Sequence, residues 1–244
     1  MPATRKQRPT VHRTTRKQRT ASMQFRDPRV LRIETPEDMQ QLLKEKGNSI
    51  TAFKKGTVIE VYNKMERGRT YRLEAAPGKD MDPEFKPELT PAEMLARGVF
   101  EGKYCNDQLL QFPKEWYLGA LKKGKLCPGA PDPTVNEYGV KSRQPLKEWQ
   151  RKGWVPGRRG VTAKQYPILS DPKKNPHKRG WFEWYMCYYC GERNPELDRV
   201  QIQRWKAFRR HAGQIRANCK RGDQSCRPVQ RQALLQWAYD PKRL

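Results

Sequence analysis

Residues 181–190 read Trp-Phe-Glu-Trp-Tyr-Met-Cys-Tyr-Tyr-Cys, six large rings in ten positions. That is more aromatic surface than one exposed base-stacking platform uses, and the helices expected after it need a core to pack on. The segment therefore reads as core, helical in pattern, with the rest of the chain folded around it. Apolar residues are otherwise scarce: 35% of the 244 residues are hydrophobic and the mean hydropathy is −1.06. No run approaches the roughly 18–20 apolar residues that cross a bilayer. The first twenty residues are basic and polar with no apolar h-region, so no secretory leader is expected.

The charge is concentrated. Against 26 Asp and Glu the chain carries 51 Lys and Arg, a formal net charge of +25. Residues 1–20 hold seven Lys or Arg and no acid, residues 141–180 hold twelve against two, and residues 199–231 hold ten against Asp223 alone. Outside these blocks the balance is close to neutral. A general drift to high pI would raise charge everywhere, whereas three blocks imply three surfaces facing a polyanion, with nucleic acid the expected one.

The arm repeats Thr4-Arg5-Lys6-Gln7-Arg8 as Thr15-Arg16-Lys17-Gln18-Arg19 and has no Leu, Ile, Phe, Trp or Tyr to bury, so residues 1–22 read as a disordered basic arm. Residues 23–76 read as a small α+β module. Thr35 caps a helix that begins with Pro36 and Asp38, buries Leu42 and Leu43 and stops at Gly47; strands over 57–63 and 69–75 flank a turn at 65–68. Five Pro and Gly positions among acids make 77–91 a Pro-rich linker.

Residues 92–244 read as an aromatic-rich, mainly helical domain. The capping box Thr90-Pro91-Ala92-Glu93 opens a short helix that Gly98 ends. Single aromatics among Pro and Gly turns, Trp116, Trp149 and Trp154 among them, suit an irregular fold, with a helical turn over 146–152 anchored by Trp149. A basic amphipathic helix starts at Asp198 and carries Ile202, Trp205, Phe208 or Arg209, Ala212 and Ile215 on its apolar face. A last helix after Pro228 is expected to bury Val229, Ala233, Leu234, Trp237 and Ala238. The fold class is thus α+β: a helix-plus-hairpin module followed by an irregular, aromatic-pinned, helix-rich domain.

Gly180-Trp181-Phe182-x-Trp184-Tyr185-x-x-Tyr188-Tyr189, Asp198-x-x-Gln201-Ile202-x-Arg204-Trp205 and Cys226-Arg227-Pro228-x-x-Arg231-Gln232-Ala233-Leu234-Leu235-Gln236-Trp237-Ala238 resemble a group of uncharacterised eukaryotic and large-DNA-virus proteins. The resemblance reaches back through Tyr138-Gly139-Val140-Lys141, leaves the basic arm outside it and implies no activity.

Cys187-x2-Cys190-Gly191 followed by Cys219-x6-Cys226 offers four thiols for zinc, although the second spacing exceeds the usual two to four. Cys105 and Cys127 complete the six cysteines. The reading taken is buried free thiols in a reducing compartment with no cofactor, and zinc at Cys187, Cys190, Cys219 and Cys226 as the alternative. The histidines are His12, His177 and His211; His211 is weighed as a base or ligand, and Glu183, Glu192, Glu196 and Asp198 as a metal cluster, against helix capping. No phosphate-cradling glycine motif is present, and no catalytic residue is assigned.

The expected function is non-enzymatic binding of DNA or RNA with limited sequence specificity, in the nucleus or another intracellular nucleic-acid-containing particle. Phosphate contacts are expected from Arg5, Lys6, Arg8, Arg16, Lys17 and Arg19 in the arm. Further contacts are expected from Arg158, Arg159, Lys173, Lys174, Lys178 and Arg179, and from Arg204, Lys206, Arg209, Arg210 and Arg216 on the basic helix. The alternatives are a structural component of a virion or ribonucleoprotein assembly and a metal-dependent nuclease.

Overall fold

Thr35 and Asp38 begin the first α-helix of the described residues by exchanging hydrogen bonds: the Thr35 hydroxyl accepts from the Asp38 N–H and the Asp38 carboxylate from the Thr35 N–H. A computed structural model describes residues 25–157 and 164–244, so the arm reading falls outside the described residues. Helix α1 (Pro36–Lys46) buries Met39, Leu42 and Leu43, the face its spacing implies. The hairpin follows as β1 (Val58–Tyr62) antiparallel to β2 (Arg67–Arg72), with Val58 opposite Arg72, Ile59 opposite Tyr71 and an irregularity between Glu60 and Tyr62. Asn63 Oδ1 accepts from the N–H groups of Met65 and Glu66 and closes the turn. The turn therefore precedes the expected one, and β2 begins at Arg67.

The Thr90–Glu93 capping box opens α2 (Pro91–Ala96). Helix α3 (Lys114–Lys122), which the sequence reading did not anticipate, packs beside α1 and α2 and buries Trp116, Tyr117 and Ala120. Helices α4 (Leu146–Arg151) and α5 (Pro167–Ser170) are short. The central element is α6 (Trp181–Cys190), in which every residue except Tyr189 is buried. The aromatic segment is core, as expected. Then come α7 (Pro195–Phe208), α8 (Arg210–Asn218) and α9 (Pro228–Leu235), giving an α+β fold with a helix-rich majority.

Residues 77–91 depart from the linker reading. Phe85 is 2% exposed and meets Trp181, Trp184, Tyr185, Tyr188 and Trp205 with ring centroids 5.0–6.4 Å apart. The Gly78 N–H donates to Tyr189 O, the Asp82 N–H to Tyr188 Oη, and Tyr185 Oη to Leu89 O. The segment runs through turns rather than helix or strand, and two apolar anchors, Phe85 and Leu89, hold it to α6. A continuous cluster of buried residues runs from Phe25 to Leu244.

Two further corrections concern the last helices. The basic helix begins a turn early, with Asn194 as cap and Pro195 in the first turn, and breaks at Arg209 into α7 and α8. Its buried face includes the expected Ile202, Trp205, Ala212 and Ile215, whereas at the break Phe208 is half-buried and Arg209 exposed. On α9 the face is rotated: Val229 is 63% exposed while Arg231 and Gln232 are fully buried. The Arg231 guanidinium donates to the carbonyls of Cys226, Asp223 and Pro241 at 2.7–2.9 Å, so a cation ties the chain end to the loop before α9. Hydrogen bonding to three carbonyls outweighs burial of one valine.

Candidate nucleic-acid interface

The loop between α2 and α3 carries backbone strain. Phe100, Glu101 and Cys105 all have positive φ, 51–59°, a conformation that costs a non-glycine residue energy and that concentrates at functional sites. Glu101 is held there by Asn136, whose Oδ1 accepts its N–H. Its carboxylate accepts the N–H groups of Ser142 and Arg143 at 2.9 and 3.2 Å. One strained, buried acid thus fixes the segment that brings Arg143 and Gln144 over the loop.

Two cavities lie there. The first, about 340 Å³, has an apolar floor that includes Val30, Met65, Phe100 and Trp149, and its cations are Lys64, Lys103, Arg143 and Arg179. The second, about 230 Å³, is walled by Trp149, Trp154, Trp181, Phe208 and Trp237 and contains Arg204. Phe100, Gln144 and Trp149 line both, so the cavities adjoin across a shared aromatic wall.

The cations differ in commitment. Arg179 pairs with Asp107 at 2.8 Å and Glu183 at 3.2 Å and is the structural one. Lys103 Nζ donates to the carbonyls of Pro128 and Gly129. Burial and the neighbouring Lys64 and Arg143 lower its pKa, so the rim is a place where like charges crowd. Among the described residues the side chains of Lys64 and Arg143 form no ion pair. The Arg204 guanidinium lies over the Trp237 ring, 5.3 Å from its centroid, and donates to Gln201 Oε1 at 2.7 Å; among the described residues no carboxylate pairs with it. Burial pulls its pKa down to about 10, a charge lacking a counter-ion.

The sequence-predicted contacts scatter. Arg5, Lys6, Arg8, Arg16, Lys17, Arg19, Arg158 and Arg159 lie outside the described residues. Lys178 donates to Met65 O at 3.0 Å, and Arg179 is committed as above. Lys174 pairs with Glu196 at 3.0 Å and Lys206 with Glu84, both at the surface. Lys173, Arg209, Arg210 and Arg216 are exposed with no ion pair among the described residues. Of the predicted set, among the described residues, Arg179 and Arg204 line the paired cavities, and Arg179 is already held by Asp107 and Glu183. Lys64 and Lys103 were missed because they sit outside the basic blocks; Arg143 lay inside one but carried no distinguishing neighbour.

The candidate metal ligands are rearranged as well. Cys219 and Cys226 form a disulfide, correcting the free-thiol reading for that pair, so the four cysteines are not assembled. Asp223 Oδ1 accepts from Ser225 N and Oγ and from Cys226 N, folding the loop that brings the two sulfurs together. The carboxylates diverge: Glu183 meets Arg179 and Gln108, Glu196 meets Lys174, and Asp198 caps α7. His211 stacks on Phe208 with centroids 4.5 Å apart. His177, Cys187 and Glu192 do converge, with one ligand atom each within 4.8 Å of the others. No helix among the described residues is long and apolar enough to cross a membrane.

The chain matches no protein-family model, no curated protein and no solved structure.

Proposed function

We propose that this is a non-enzymatic nucleic-acid-binding protein that takes single-stranded segments of DNA or RNA along the paired cavities and holds flanking phosphates with its basic surface, in the nucleus or a nucleic-acid-containing particle. One observation carries the reading: cations without carboxylate partners, Lys64 and Arg143 at one end and Arg204 at the other, flank a shared Phe100–Trp149 wall. Bases stack on aromatic faces whatever their identity, and phosphates need cations that are not already paired, so this juxtaposition favours an unpaired strand with limited sequence preference. Exposed Arg209, Arg210 and Arg216 extend the cationic surface along α7 and α8. Against the nuclease reading stands the dispersal of Glu183, Glu196 and Asp198.

The structural-component reading has one observation in its favour. A Cys219–Cys226 disulfide inside the third basic block suits an oxidising setting such as a virion better than the cytosol.

The test is equilibrium binding of a fluorescent single-stranded oligonucleotide to the full chain and to Trp149→Ala and Lys64→Ala/Arg143→Ala variants. Loss of one stacked base costs about 1–3 kcal/mol, and the double cation variant is expected to lower the salt dependence as well. Unchanged affinity in both variants, with duplex bound as tightly as single strand, overturns the cavity reading.

A further inference from the structure

Gly191 ends α6 with φ 109°, and a Cβ there would lie 2.1 Å from Ala75 O, so only glycine lets the chain reverse against the end of the hairpin segment. The reversal is fixed by the Glu192 N–H donating to Cys187 O and by the Glu74 N–H donating to Gly191 O. It turns Glu192 back beside Cys187, one helical turn up α6. From the other side Asn175, 1% exposed, accepts the His177 N–H at 3.0 Å and donates to Leu169 O, setting the imidazole in the same buried space.

The three groups meet with part of their polar capacity unused. His177 Nε2 is 3.8 Å from Glu192 Oε2, too long for a hydrogen bond, and both His177 Nδ1 and Glu192 Oε2 are buried without a hydrogen-bond partner. The other carboxylate oxygen, Oε1, accepts from Arg69 at 3.0 Å, and Arg69 also pairs with Glu66. Tyr71 Oη lies 3.8 Å from Cys187 Sγ and donates toward it. A buried carboxylate oxygen without a hydrogen-bond partner, 3.8 Å from the His177 imidazole and grouped with a buried thiol, is what a native core avoids unless something occupies the space between them.

We propose that His177, Cys187 and Glu192 form a binding site for a divalent transition-metal ion of the zinc type, joining α6 to the β2 strand through Arg69 and Tyr71. Nitrogen, sulfur and carboxylate oxygen are zinc's donor set. Bond lengths of about 2.0–2.3 Å require ligand atoms roughly 3.3–3.6 Å apart in a tetrahedron, so closure of at most about 1.5 Å from the present spread of up to 4.8 Å completes the site. The charges balance: Arg69 offsets Glu66, and a divalent ion offsets the Glu192 carboxylate and the Cys187 thiolate that forms when the ion displaces the thiol proton to solvent. Cys190, Cys219 and Cys226 are outside this set.

The test is titration of the chelator-treated full chain with Co2+ alone, followed by displacement with Zn2+. One Co2+ per chain is expected, with a thiolate-to-cobalt charge-transfer absorption that Zn2+ abolishes. Cys187→Ser is expected to remove the absorption, and Cys190→Ala and the Cys219→Ser/Cys226→Ser double variant to retain it. Glu192→Gln, which preserves side-chain shape, is expected to weaken Co2+ binding by more than about tenfold, at least the loss that follows removal of an outer-shell partner alone. Should Cys187→Ser lose its far-ultraviolet circular dichroism, Glu192→Gln decides. The proposal is overturned by a wild-type chain that shows no charge-transfer absorption, by absorption that depends on Cys190 or on the 219/226 pair, or by Glu192→Gln binding within tenfold of the parent.

Discussion

Asp198 is the acid whose environment most opposes its charge. It is 8% exposed, accepts from Trp184 Nε1 and the Asn194 N–H at 2.8 Å each, and faces Arg193 and Glu74. Burial outweighs those hydrogen bonds and pushes its carboxyl up from 3.8 to about 6. Because the folded chain binds this proton more tightly than the unfolded one, the contribution is fully present below pH 3.8 and lost as pH rises through about 6. Asp198→Asn removes the titration and adds an offset common to all pH values. Urea unfolding at pH 4 and pH 7 is therefore expected to show the Asn variant gaining about 1–3 kcal/mol on wild type over that interval; no change in the difference would place the carboxyl in an ordinary environment. Arg231 is a fully buried cation held by the carbonyls of Cys226, Asp223 and Pro241. Arg231→Leu strands three carbonyls and is expected to cost about 3–5 kcal/mol in the same assay, whereas a loss below about 1 kcal/mol would show that water replaces the guanidinium.

At the scale of elements, the decisive one is the loop segment 77–91. Phe85→Ala is expected to destabilise by about 3–5 kcal/mol, as truncation of a large core aromatic does, where a true linker residue would cost almost nothing. Chemical denaturation of the two proteins separates these outcomes. Elements whose signals are local were readable from sequence: Thr35 and Thr90 cap the helices they were expected to cap, the hairpin forms, and the 181–190 run is buried. Elements fixed by distant partners were not. Phe85 has no apolar periodicity around it, and its place comes from five rings up to 120 positions away. Val229 and Arg231 lie on different faces of one short helix; apolar count favours the first, and the carbonyls of Asp223, Cys226 and Pro241 select the second. The candidate interface was half legible for the same reason. Charge blocks pointed to the helix bearing Arg204, but Lys64 and Lys103 come from segments of ordinary charge and acquire significance only when the strained 100–105 loop brings them beside Trp149.

For the whole molecule, the governing quantity is a net charge of +25 whose excess is spread over three segments. Internal ion pairs absorb part of it: Arg69, Arg97 and Arg179 each meet two carboxylates. The cations left over set the affinity proposed for a polyanion, and each phosphate they neutralise releases counterions. The arm at 1–20 adds seven of them with little apolar side-chain area, so its deletion is expected to weaken binding and flatten the salt dependence while leaving the melting temperature nearly unchanged. The most direct measurement is a titration of the full chain against single-stranded and duplex DNA and RNA at several salt concentrations. A log–log slope of magnitude roughly 5 or more is expected, with single strands bound more tightly than duplex. Salt-independent affinity, or no binding to any of these nucleic acids at low salt, would contradict the proposed function.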